Sequence, residues 1–139
     1  MKLEQKKSFW RNEFGGATIE FVALALPLFL PVIFFLHQFA TVSAEEGLAR
    51  TLAREGARAF VASTDQNSAE AAMNSVIAAA GRELGLTDRD FSRMAVGLEC
   101  SASPCFTPNG KITVTIHFGA TKEFPAVTSS AQEYISPWV

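Results

Sequence analysis

Residues 21–43 read FVALALPLFLPVIFFLHQFATVS, and no formally charged residue interrupts them. With Ala44 the run reaches 24 residues, or about 36 Å as an α-helix at 1.5 Å per residue. That exceeds the ~30 Å hydrocarbon thickness of a bilayer, so the segment is long enough to span with some tilt. Pro27 and Pro31 would break a soluble helix but are tolerated, with a kink, in a membrane helix. A buried core helix is the alternative, but a chain of 139 residues leaves too little protein to surround such a segment.

Outward from this run, residues 1–15 form a polar leader. It carries Lys2, Lys6, Lys7 and Arg11 against Glu4 and Glu13, a net of +2. On the other side, EEGLARTLAREGARAFVA (45–62) continues in helical period. Leu48 and Leu52 stand four apart, as do Arg50, Arg54 and Arg58, and Glu46 to Arg50 is a favourable i,i+4 pair. Gly47 and Gly56 weaken the helix slightly or permit close packing. The pattern predicts one helix over 16–62, apolar on all sides across about 21–44 and amphipathic beyond.

Ser63 to Asn67 is rich in helix N-cap residues and marks a break. A second helix is predicted over 66–84, with Ala69, Met73, Val76, Ile77, Ala80 and Leu84 on one stripe and Gly85 closing it. Thr87-Asp88-Arg89-Asp90 reads as a turn that could also cap a helix. The period then changes. KITVTIHF (111–118) alternates Ile112, Val114, Ile116 and Phe118 with Thr113, Thr115 and His117, the mark of a half-buried strand. Residues 94–100 are expected to partner it and 127–135 to add a third strand. Asn109-Gly110, at the end of the connection SASPCFTPNG, is a turn signal. The expected class is α+β: a long N-terminal helix, a shorter second helix and a small antiparallel sheet of two to three strands, with 63–139 forming the head domain.

Several functions are set aside by composition. The net charge is −2, without the basic excess that nucleic-acid binding requires. The 12 Phe among 2 Trp and 1 Tyr cluster toward the first third, as suits a lipid-facing segment. No phosphate loop, catalytic triad or paired-carboxylate arrangement stands out, so neither an enzyme nor a cofactor is expected. His117 with Cys100 and Cys105 offers at most three metal ligands, and no metal site is expected. His37, beside Gln38, reads either as a proton or metal group inside the membrane or as a polar helix–helix contact. In an oxidising extracytoplasmic space, a Cys100–Cys105 bond would pin the loop between two strands. Two free thiols are the alternative.

The start of the apolar run is the most informative part. Gly15, Gly16, Ala17, Thr18, Ile19, Glu20 and Phe21 follow the positive leader. They resemble the site cut by type IV prepilin peptidases, in which a Gly, four residues, a Glu and an aromatic precede an apolar helix. Counting back from Glu20 puts the cut between Gly15 and Gly16; cutting after Gly16 is the other register. A carboxylate at the edge of a span is unfavourable. It can be accounted for by the dipole at a helix N-terminus or, by resemblance, by pairing with the free N-terminal amine during assembly. Val42-Ser43-Ala44 also resembles a signal-peptidase site, although the apolar run is longer than a signal peptide's core.

GGATIEFVALALPLFLPVIFF (15–35) together with LAREGARAF (52–60) resembles the TadE/TadF-type pseudopilins of tight-adherence (Tad, or Flp-type) pilus systems. Length and the REGAR stretch favour the TadE type. The similarity covers 11–60 well and the remainder in architecture only. The resemblance implies a minor, pilin-like structural subunit, trimmed by a prepilin peptidase and needed for pilus assembly and surface attachment. Its partners would be that peptidase, other pilins and pseudopilins in a hetero-oligomer, and inner-membrane lipid. The N-terminus would be cytoplasmic, since the leader motif outweighs an even spread of basic residues. The head would be periplasmic or extracellular, with the subunit in the bacterial inner membrane or incorporated in the pilus. Arg50, Arg54, Glu55 and Arg58 are candidate contacts to a partner or to lipid headgroups; a solvated, ion-paired face is the alternative. The competing expectations are a single-pass anchored adaptor or sensor with a small periplasmic domain, and a secreted domain released after Ala44.

Overall fold

A computed structural model describes residues 16–138. The leader, including Gly15, lies outside the described residues. The elements run α1 (Gly16–Val61), α2 (Gln66–Glu83), α3 (Asp88–Arg93), β1 (Met94–Cys100), β2 (Lys111–Phe118) and β3 (Val127–Tyr134). The architecture is α+β, as the sequence pattern predicts, and the sheet has three strands. Contacts divide the chain into a unit ending at Phe39 and a second unit, Ala40–Val139.

The first unit contributes the apolar stretch of α1. It is long and apolar enough to cross a membrane, and none of its most apolar window is buried. Phe21 (71% exposed), Leu24 (76%) and Phe34 (71%) illustrate the pattern.

The second unit has one core. From α1 it takes Ala49, Leu52, Ala53, Ala57 and Phe60, from α2 Ala69, Met73 and Ile77, and from the strands Ile112, Val114, Ile116, Phe118 and Val127. The α1 set repeats at intervals of three and four, one face of a 3.6-residue period. Gly56 lets α2 approach that face: a Cβ there would stand 2.7 Å from Ile77 Cδ1 and 2.9 Å from Ile77 Cγ1.

Helix α2 begins at Asp65, whose carboxylate accepts from the Ser68 backbone N–H at 3.0 Å. These bonds, with the Ser68 backbone first, hold the Asp65 pKa below its usual value. The helix ends in a Schellman motif. Gly85 adopts φ +89°, Leu86 N–H donates to Gly81 C=O at 2.9 Å, and Gly85 N–H donates to Arg82 C=O at 3.1 Å. The buried stripe therefore stops at Gly81, and Leu84, expected on it, is 48% exposed.

The 87–90 segment, read as a turn that could also cap a helix, does cap one: α3 starts there. Thr87 and Asp90 make a reciprocal capping box: Thr87 N–H donates to Asp90 Oδ2 at 2.9 Å, and Asp90 N–H donates to Thr87 Oγ1 at 3.4 Å. The sheet is an antiparallel meander, β1-β2-β3, in register from Met94↔Phe118 to Cys100↔Ile112 and from Lys111↔Tyr134 to Phe118↔Val127. Even-numbered residues of β2 are buried, as their alternation predicts. Asn109-Gly110 does not close a two-residue hairpin. It ends the 101–110 connection, with Asn109 at φ 59° and Gly110 C=O accepting from Ile135 N–H at 2.8 Å.

Replacing Gly56 by Val should destabilise the head by about 1–3 kcal/mol through overpacking against Ile77. The shift in urea midpoint of the full chain in detergent measures it, and an unchanged midpoint would refute close α1–α2 packing at this position.

Candidate functional site

The residues singled out in the sequence fall into separate places. Gly16 opens α1, and a Cβ added there meets nothing within 4 Å. Glu20 and Phe21 follow on the same helix, both exposed. Counted from Gly16, Glu20 is the fifth residue and the acidic group that opens the uncharged run. Gly15 lies outside the described residues.

Arg50, Arg54 and Arg58 form an exposed ridge on α1, opposite its buried stripe. Arg58 pairs with Glu55 at 3.7 Å, an exposed i,i+3 contact worth well under about 1 kcal/mol. The expected Glu46–Arg50 pair does not form. Among the described residues, the ion pairs are Arg58–Glu55, Arg93–Glu45 and Arg93–Asp90. Arg50 and Arg54 instead line a cleft of about 360 Å³ with Ser130, Ala131, Gln132 and Glu133.

Cys100 and Cys105 are joined in a disulfide, with Cα atoms 5.2 Å apart. The bond closes the loop leaving β1 and sets Phe106 against Phe60 of α1, ring centroids 6.1 Å apart. Its sulfurs are thereby committed, and His117 Nδ1 instead lies 2.7 Å from Thr128 Oγ1 across the sheet's outer face. Among the described residues no group of three His, Cys, Asp or Glu side chains is placed to hold a metal ion.

The most connected polar group is Arg93, which sequence reasoning did not single out. Its Nη2 donates to Glu45 Oε1 at 2.6 Å and to Asp90 Oδ1 at 3.1 Å, and its Nη1 donates to Gly119 C=O at 3.3 Å. The guanidinium also lies over the Phe118 ring, 5.1 Å from its centroid. Side-chain exposures of 16% for Arg93 and 19% for Glu45 make this a largely buried pair. Glu45 first, then Asp90, holds the Arg93 pKa above its ordinary value. Glu45 Oε2 is buried without a hydrogen-bond partner, so the single bidentate-capable cation carries most of the compensation for burying that carboxylate. A cleft of about 490 Å³ opens beside the cluster, lined also by Thr87, Arg89, Lys122, Glu123 and Phe124. Its charges are balanced, with Arg89, Arg93 and Lys122 against Glu45, Asp90 and Glu123.

Asp90 is held below the usual carboxylate range first by the Thr87 hydroxyl, which donates to Oδ2 at 2.7 Å, then by the Thr87 backbone and Arg93. A lowered folded-state pKa means its stabilising contribution is complete above the unfolded Asp value of about 3.9 and fades as pH falls through the folded value.

No protein-family model, curated protein or solved structure matches the chain.

Arg93→Met should destabilise the head by about 3 kcal/mol or more by stranding Glu45, and Glu45→Leu/Arg93→Met should recover most of that loss. Equal unfolding midpoints for the single and double variants would contradict a stranded carboxylate. Thr87→Ala should raise the Asp90 pKa toward about 3.9, so the stability gap between this variant and the wild type should narrow as pH falls below 4. Carboxyl NMR titration reads the first effect, and urea melts across pH read the second.

Proposed function

We propose that this chain is a minor, pilin-like structural subunit of a tight-adherence-type pilus machine, of the TadE kind. It is inserted in a bacterial inner membrane, trimmed between Gly15 and Gly16 by a prepilin peptidase, and used in pilus assembly and surface attachment rather than in catalysis. The observation that carries the reading is the apolar stretch of α1. It starts one helical turn after Gly16, is introduced by Glu20-Phe21, and none of its most apolar window is buried by the chain itself. Such a surface is stable only in lipid or against other apolar helices. A side-by-side bundle of pilin helices supplies both in turn, first in the membrane and then in the fibre.

Glu20 fits the same account. A carboxylate entering an apolar bundle needs a cation, and trimming at Gly16 creates a free amine four residues away on the same strand of chain. The disulfide agrees with a head that matures outside the cytoplasm. The exposed ridge of Arg50, Arg54 and Arg58, with Glu55, offers contacts to partner subunits or to headgroups.

N-terminal sequencing of the mature protein from its native membrane tests the assignment. Gly16 as the first residue is the expected result. Met1 would identify an unprocessed anchored adaptor, and Glu45 a secreted domain. Glu20→Ala should leave trimming complete while surface attachment falls to that of a strain lacking the protein. Attachment at the wild-type level would remove Glu20 from assembly.

A further inference from the structure

Arg50 and Arg54 leave the acids around them unused. Glu46 stands one turn before Arg50, and Glu133 lines the same cleft of about 360 Å³ as both arginines. Yet among the described residues neither guanidinium takes part in an ion pair. Arg58, outside the cleft, does pair, with Glu55. The cleft therefore holds two uncommitted cations against one carboxylate.

One wall of the cleft is a strand edge. Ile135 N–H donates to Gly110 C=O, toward β2. Successive residues of an antiparallel strand face opposite edges. Ser129, Ala131 and Glu133 thus also face β2, while Ser130 and Gln132 turn their backbone N–H and C=O outward. Strand β3 pairs with β2 alone, and among the described residues these outward groups make no backbone hydrogen bond. Helix α1 and β3 advance together along the cleft. Ser129 Oγ donates to Glu46 C=O at 3.3 Å, and farther along both elements the two arginines border 130–133.

We propose that this cleft takes an extended segment of a partner protein as a fourth strand, with acidic side chains two residues apart that meet Arg50 and Arg54. Side chains on one face of a strand stand about 6.6–6.8 Å apart. Four residues of helix separate the arginines by about 6 Å along α1, so the two spacings match. Backbone pairing alone would be unselective, but charge restricts it. A neutral or basic segment would cover two guanidinium groups without pairing them. The opposite edge, β1, carries Glu99 and would repel an acidic strand. None of the three strands of this chain has two acids two positions apart, so the partner is a different protein. Measured from Ala44, the end of the uncharged run, Arg50 lies about 9 Å and Arg54 about 15 Å along the helix. A headgroup layer is only about 5–8 Å deep, so a lipid does not engage both arginines. The inference rests on the cleft and holds whether or not the chain is trimmed.

The test is calorimetric titration of the full chain, in nonionic detergent, with a short end-capped peptide alternating threonine and glutamate. Wild type should bind this peptide and not its threonine–lysine counterpart. Arg50→Glu/Arg54→Glu should weaken binding of the glutamate peptide at least about tenfold and gain binding of the lysine peptide. Both positions are exposed, so an unchanged urea midpoint should accompany the swap. Hydrogen exchange reads the strand pairing itself: the Ser130 and Gln132 amides should slow when the glutamate peptide binds, which charge attraction alone would not cause. The proposal is overturned by a wild type that does not bind the glutamate peptide, by binding indifferent to the charge reversal, or by unslowed Ser130 and Gln132 amides. Complete displacement of the peptide by bicelles containing phosphatidylglycerol would also overturn it, by assigning the cleft to headgroups.

Discussion

Burial of the α1 stripe Ala49, Leu52, Ala53, Ala57 and Phe60 in the same core as the inner face of the sheet sets the terms for the rest of the head. Three of the five are alanines, and Gly56 lies beside them, so this face of the helix is nearly flat. Ile77 of α2 can then lie almost on the α1 backbone. With one face committed, the 3.6-residue period leaves Arg50, Arg54 and Arg58 on the other. It also brings Glu46 under β3, where its carbonyl accepts from Ser129, and Glu45 against Arg93. Core packing of small residues and outward display of charge are thus one decision made by the phase of a single helix.

Glu45 is the first charged residue after the uncharged run, and it does not turn to water. It is drawn into a largely buried pair with Arg93, at the junction of α3 and β1. Such pairs contribute little net stability compared with apolar substitutes, but breaking one partner is costly. Their better-attested use is to select one arrangement among several. Here the guanidinium contacts α1, α3, Gly119 and the Phe118 ring together. The rotational setting of α1 within the head is tied to the corner from which the sheet begins.

The parts of the fold that sequence made legible are those built from local periodicity. The α1 and α2 stripes, the alternation of β2 and the glycine at the end of α2 follow from spacing alone, because their partners are neighbours along one element. The misses have a common cause. Helix α3 is six residues long, too short to show a stripe, so the cap at Thr87–Asp90 was legible while the helix it starts was not. Leu84 keeps the α2 period but falls where the Schellman turn has already redirected the chain toward Leu86. Glu46 and Arg50 have the right spacing for a pair, yet β3 offers the arginine a different setting. The Glu45–Arg93 bond joins residues 48 positions apart, and no local pattern encodes it. Of the residues singled out, the start of α1 at Gly16 and the pairing of Cys100 with Cys105 could be read from sequence. The buried arginine could not.

The two edges of the sheet are bordered differently, and the phase of α1 is the reason. Along β3, Ser129 Oγ donates to the Glu46 carbonyl, and Arg50 and Arg54 line the cleft beside 130–133. The strand at the other edge, β1, carries a single charge, Glu99. The same helical period that buries the alanines of α1 therefore also decides which edge of the sheet its cations border.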